Sequence, residues 1–270
     1  MKKALRFITL ALAFVLVLAA CGNDSGSAED SNVVKVGVIG SDSVVWDHVA
    51  GKAAEEGIEL EVVYFDSYPL PNAALDAGEL DLNSFQHYIY LDKEVEQFGY
   101  EIEAIGETSY APLSIFSKQL TAIDEVEDGA QIMIPDDVTN GGRALLLLQE
   151  AGLITVDPEA GLTPTLKDIE NPRGFDIVEL AAANIPASLE EAPLAVINSG
   201  IAIDAGLSPT EDALLIEDAS GGENPYINVI VAQSDRADDE VLNRIVELYQ
   251  SEDTKEIIIE DSNGASIPVF

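Results

Sequence analysis

The sequence predicts an α/β fold arranged as two lobes. Three observations carry this. Short β-branched runs alternate with helical segments along the body, the pattern of strands and helices packed in layers. The alternation occurs in two cycles, one opening near Val33 and one near Ile123. Setting residues 1–20 aside from the 270 leaves 250 residues, enough for one large domain or two ordinary lobes. At 47% apolar, the chain has the material for more than one core.

The elements follow in order. Residues 33–40 (VVKVGVIG) read as a buried strand ending in a glycine turn. Asp42 or Ser43 caps a helix running through Trp46, Val49 and Ala53. Residues 58–65 (IELEVVYF) form the next strand, 70–77 a short helix, 80–83 (LDLN) a short strand and 88–99 a helix. Residues 104–105 and 111–117 read as further strands. In the second cycle, 131–135 (QIMIP) is a buried strand, 136–142 a polar glycine-rich loop and 143–151 (RALLLLQEA) a strong helix stopping at Gly152. Strands are expected at 176–180, 194–197, 212–217 and 227–233, and helices at 239–250 and 254–261, before an apolar end at 267–270. Largely parallel sheets follow from such alternation, with ligands bound where strand ends and helix starts face a cleft.

The start of the chain reads as an export signal. Lys2, Lys3 and Arg6 precede an apolar run over 7–18, broken only by Thr9. That run is short for a bilayer span and suits a cleaved segment. Leu18-Ala19-Ala20-Cys21 then supplies small residues and the chain's single cysteine. The expectation is removal of residues 1–20, lipid on Cys21, and a flexible tether over 21–32, whose residues are mostly small, polar and acidic. The body would then sit lipid-anchored on the outer face of the cell membrane. A plain secretory peptide is the alternative. Losing the three basic residues takes the formal charge from −37 to −40. Such a surface repels nucleic acid and anionic lipid heads. With Cys21 lipidated, no thiol remains for disulfides, metal ligation or catalysis. The scattered acid excess fits solubility, and equally a saline or alkaline setting.

Three groups of residues could carry chemistry. Arg143 stands after Asn140-Gly141-Gly142, at the first turn of the strongest helix. A cation there opposes the helix dipole, a conflict removed by a bound anion held by Arg143 and the helix-start N–H groups. An exposed Arg143 paired with one of the many acids explains the spacing equally well. Tyr68, Phe85, His87, Tyr88 and Tyr90 concentrate aromatic rings in a chain only 6% aromatic. Rings suit an apolar or thioether group, and taken singly they also suit a core beneath a helix. Asn198 (VINSG) and Asn224 (ENPY) offer carbonyl oxygens to an ammonium group, although asparagine in such turns ordinarily serves the turn. With His48 and His87 as the only histidines, and no HExxH, GxSxG or GxxxxGK[ST] pattern, the sequence supports neither an enzyme nor a metal or cofactor site.

Taken together, the Cys21 box and residues 80–92 (LDLNSFQHYIYLD), 134–154 (IPDDVTNGGRALLLLQEAGLI), 195–207 (AVINSGIAIDAGL) and 223–231 (ENPYINVIV) resemble the methionine-binding lipoproteins of bacterial ABC importers, the NlpA lipoprotein family. The resemblance spans about residue 33 to 270. It implies a two-lobed periplasmic-binding-protein fold, type II-like, with two crossovers and a ligand cleft between lobes. Lobe one would be 33–116 plus 225–270, and lobe two 117–224. It implies a methionine ligand, partnership with importer permease subunits and no nucleic acid. Arg143 matches the arginine gripping the ligand carboxylate. Asn198 and Asn224 match asparagines at the amino and carboxylate ends. Tyr68, Phe85, His87 and Tyr90 match the thioether pocket, and Asn140 belongs to the same set. Asp136-Asp137-Val138, Asn198-Ser199-Gly200-Ile201 and Ala187 depart from the family pattern. They leave L-methionine, D-methionine, a methionine dipeptide or another amino acid open as ligand, with a non-transport surface lipoprotein as the alternative from another class.

Overall fold

The structure, a computed structural model, describes residues 33–218 and 224–270. The expected signal, Cys21 and tether lie outside them. Strand β1 (Val33–Ile39) pairs in parallel with β2 (Glu59–Phe65), Val36 opposite Val62. Between them α1 (Val44–Glu55) starts at Ser43, whose hydroxyl accepts the Trp46 N–H. Trp46, Val49 and Ala53 recur at helical spacing and are buried. Helix α2 (Pro69–Asp76) begins on proline, which tolerates a first turn because its missing N–H has no helical partner there.

Strand β3 (Leu82–His87) continues past the expected end at Asn83, so Phe85 and His87 stand on a strand instead of following one. Helix α3 (Tyr88–Phe98) follows directly, and Gly99 closes it in the left-handed region at φ 72°. Strand β4 (Ile102–Tyr110) is one long strand, and β5 (Leu113–Phe116) comes after Ala111 and Pro112. Next come β6 (Gln131–Pro135), α4 (Val138–Glu150), the short pair β7 (Thr155–Val156) and β8 (Ile169–Glu170), and β9 (Asp176–Leu180). Then α5 (Ile185–Ser188), β10 (Leu194–Asn198), α6 (Ser199–Asp204), α7 (Pro209–Asp212) and β11 (Ala213–Ile216) complete the second cycle. The chain ends with β12 (Ile227–Gln233), α8 (Glu240–Tyr249), α9 (Glu252–Asp261) and β13 (Ile267–Pro268).

Among the described residues two large sheets form beside the β7–β8 pair: β13-β4-β12-β3-β1-β2 and β11-β5-β10-β6-β9. The chain passes between them twice, from β4 to β5 and from β11 to β12, as the two-lobed fold requires. Because β5 pairs with β10 and β11, residues 113–116 belong to the second sheet. The first crossing therefore falls at Ala111 and Pro112, not after Phe116 as expected. Pro112 lacks an N–H and interrupts the ladder there. The sheets are also mixed, where largely parallel ones were expected. β1 pairs in parallel with β2 and β3, and β6 with β9 and β10. The strands flanking the crossings, β4, β5, β11 and β12, pair antiparallel, since no crossover helix returns them in the same direction.

Each sheet has its own core. Val34, Val36 and Val38 pack with Trp46 of α1 and with Leu242, Ile245 and Tyr249 of α8. Ile132, Ile134, Leu194 and Val196 pack under Leu145, Leu147 and Leu148 of α4. The start of α4 lies tight against its surroundings. A Cβ on Gly141 would come 2.8 Å from the Pro135 carbonyl oxygen, and one on Gly142 would come 2.8 Å from Thr163 Cα. Only glycine permits that approach at these two positions. Among the described residues, no helix is long and apolar enough to cross a membrane.

Candidate ligand-binding site

A cavity of about 220 Å³ lies between the two sheets. Tyr68, Phe85, His87 and Tyr90 line it from the first lobe, and Asn140, Arg143 and Asn198 from the second. Phe85 and His87 both come from β3, whose pairing with β12 shifts register between Ser84 and Gln86 and so breaks the simple alternation of faces there. The rings form a cluster. Tyr68 lies 6.0 Å from both Phe85 and Tyr90, centroid to centroid, and Phe85 meets Tyr90 edge-on at 5.8 Å. Buried Asn72, Asn83 and Gln86, the last also lining the cavity, hydrogen-bond one another at 2.6–3.0 Å and leave no amide of the trio bare.

Arg143 is not on the first turn of its helix. Asp137 caps α4 by accepting the Asn140 N–H, and the helix begins at Val138, so Arg143 sits on the second turn. Its side chain is 3% exposed and paired with Glu217, itself 14% exposed. Nε donates to the two carboxylate oxygens at 2.9 and 3.0 Å, and Nη2 donates to Oε2 at 2.5 Å. Nη2 also donates to the Ala111 carbonyl at 3.1 Å. The guanidinium lies 4.2 Å above the Tyr226 ring and 5.5 Å from that of Tyr110. Burial opposes its charge, but the hydrogen bonds and charge of Glu217 outweigh this and hold its pKa above the ordinary value. An internal acid thus meets the cation, with Arg143 buried and Glu217 partly so. Glu217 follows β11 and also accepts the Leu113 N–H at 3.0 Å, so the pair ties the two crossings together.

His87 caps α3. Its Nδ1 accepts the Tyr90 N–H at 3.1 Å, which places the neutral ring's proton on Nε2, 3.4 Å from Asn140 Oδ1. Burial, with the nearby charge of Arg143, pushes its pKa down to about 3. Asn140 gives its Nδ2 to both oxygens of Asp137 at 3.1 and 3.0 Å, and its Oδ1 takes Asn198 Nδ2 at 2.8 Å. Burial raises the Asp137 pKa against the opposing pull of its bonds from Asn140 and Thr139.

A model of the NlpA lipoprotein family matches residues 34–270. The chain belongs to that family. It is similar to the D-methionine-binding lipoprotein MetQ of Salmonella typhimurium, 43% identical over 258 residues that cover 93% of each chain. MetQ of Escherichia coli K12 is 42% identical with the same coverage. Among solved structures, the methionine-binding protein MetQ superposes with a TM-score of 0.85 at 41% identity, covering 89% of this chain and 99% of the other. A nutrient-binding protein from Burkholderia cenocepacia bound to methionine gives 0.84 at 40% identity, covering 88% and 100%.

Within this NlpA-family cavity, the structure gathers every expected binding residue except Asn224. That side chain accepts the Tyr226 N–H at 2.9 Å and closes a turn, outside the residues lining the cavity. Asn228, opposite His87 in the β12–β3 register, lines it. Its signal was a lone polar residue early in the apolar run INVIVAQ. Ser84, Ser109 and Asp204 also line the cavity and went unread. Burial, with Asp42 and Asp261 nearby, raises the Asp204 pKa. A wider opening of about 550 Å³ shares Ile39, Ile201 and Asp204 with the cavity and includes Ala187. Among the described residues, no cluster of histidine, cysteine and acids is placed to hold a metal ion.

The His87 environment makes a testable statement about acid. Between its unfolded value of 6.5 and its folded value of about 3, the unfolded chain binds a proton that the folded chain refuses. Stability from this group is complete above the unfolded value and is lost as pH falls through that window. His87→Asn keeps a capping side chain and removes the titration. The variant is expected to lose less stability than the parent between about pH 7 and about pH 5 in urea unfolding. Equal losses would show that His87 is not held neutral.

Proposed function

We propose that this protein captures methionine between its lobes and delivers it to the membrane subunits of an ABC importer. Lipid on Cys21 would hold it at the outer face of the cell membrane. The observation that carries the reading is the joint placement of Arg143, the amides Asn140 and Asn198, and the rings Tyr68, Phe85 and Tyr90 on one cavity between two lobes. The ligand carboxylate is directed to Arg143, its ammonium to the asparagine end and its thioether to the rings, where sulfur packs against ring edges. Closure about the two crossings would bury the ligand and mark the loaded state for the permease. The names of the MetQ relatives and the methionine in the Burkholderia structure support the ligand. The protein acts as a receptor and not as an enzyme. A receptor for another amino acid or a short methionine peptide is the second reading, favoured by the open space beside Ala187.

The test is thermal unfolding with a panel of L-methionine, D-methionine, methionine dipeptides and other amino acids. At a hundredfold excess over Kd, binding stabilises by about 2.7 kcal/mol, expected to raise Tm by roughly 5–10 °C. A response to methionine alone supports the first reading and a stronger response to a dipeptide the second. Silence across the panel removes both.

A further inference from the structure

The hydrogen bonds around the start of α4 have a direction. An ionised carboxylate only accepts. Asp137 takes the Asn140 N–H at 2.8 Å and the Thr139 hydroxyl at 2.9 Å, and Asn140 Nδ2 lies within reach of both its oxygens. Flipping the Asn140 amide would set oxygen against oxygen, so Asp137 compels Asn140 to turn its Oδ1 the other way. There it meets Asn198 Nδ2 and, more distantly, His87 Nε2. The Asn198 amide is oriented in turn. Its Nδ2 donates to Asn140, which fixes the orientation of the amide, and its Oδ1 is left buried with no donor among the described residues. Thr139, Asn140 and Arg143 are buried too, at 2–3% exposure, so water does little to scramble the order.

We propose that Asp137 is a positioning residue that sets the donor–acceptor polarity of the cavity through Asn140 and Asn198, and thereby selects ligands carrying an α-ammonium group. A buried acceptor without a donor is a standing cost, relieved by a ligand N–H that settles against it. Arg143 lines the same cavity and supplies the opposite demand, a ligand acceptor. The cavity thus imposes an orientation on a zwitterion, amino end to Asn198 and carboxylate end to Arg143. Asp137 touches no ligand in this scheme. The inference rests on the reading of the cavity as an amino-acid site.

Calorimetry on the full protein compares methionine with the same thioether acid lacking its α-amino group. The parent should prefer methionine by about 100-fold or more, since a site with an oriented acceptor rejects a ligand that leaves it bare. Asp137→Ser keeps a capping hydroxyl for the helix but cannot hold both donors of Asn140. It should weaken methionine about 10-fold, leave the deaminated acid unchanged and lower the preference accordingly. Asp137→Asn, close in shape and able to cap, should do the same. Equal weakening of both ligands, or no change in either, overturns the proposal. Asn198→Leu leaves Asp137 and the cap intact and must also lower the preference; an unchanged ratio there overturns it too. If the parent ignores methionine but binds another α-amino acid, the methionine reading fails, and the ratio is measured with that amino acid and its deaminated form. If no α-amino acid binds, both fall.

Discussion

Arg143→Ala is expected to weaken methionine binding by at least about 2 kcal/mol, roughly 30-fold in Kd. The substitution removes a charge-assisted donor from the cavity and leaves Glu217, only 14% exposed, without its counter-ion. Stability should therefore fall as well, by about 3 kcal/mol. Arg143→Lys separates the two effects. Lysine keeps the charge near Glu217 but loses the planar fork that donates from Nε and Nη2 together. Its stability should lie near the parent's, while its affinity lies between parent and alanine variant. Unchanged methionine affinity in Arg143→Ala, by calorimetry, would remove Arg143 from the site.

The second large effect belongs to Glu217. Glu217→Ala strips the carboxylate from a guanidinium 3% exposed and releases the Leu113 N–H at the other crossing. Breaking one side of a buried pair costs about 3–5 kcal/mol, because the remaining charge stays desolvated. Removing both charges costs less. Arg143→Met with Glu217→Leu should be less destabilised than the sum of the single variants by more than about 1 kcal/mol in urea unfolding. Strict additivity would mean that the two side chains do not act as a pair.

The sequence disclosed a good part of this arrangement, and the failures have physical causes. β-branched runs marked β1, β2, β6 and β12, since such side chains favour a pleated, half-buried surface. Asp42 or Ser43 marked the start of α1 through cap chemistry that is local in the chain, and the structure uses Ser43. The rings and Arg143 were visible through scarcity. Glu217 was not, because it is one of 50 acids and lies 74 residues from its partner. Residues 138–142 read as a loop because threonine, asparagine and two glycines are weak helix formers. Packing overrides that preference: Asp137 caps the helix, and the glycines admit Pro135 and Thr163. Asn224 entered through the resemblance to the family, yet the turn uses it for itself, as a Pro-flanked turn ordinarily uses asparagine; Asn228, inside an apolar strand, offered no comparable pattern. The lobe boundary slipped because the apolar LSIF of β5 fits a strand in either sheet. Only its pairing with β10 and β11 assigns it.

The marriage of Arg143 to Glu217 has an effect on traffic. With the cation matched from within, a solute of zero total charge can arrive and depart without disturbing the electrical balance of the chamber. A plain carboxylic acid brings a further negative charge into a lining that already holds Asp204, and the desolvated walls penalise it.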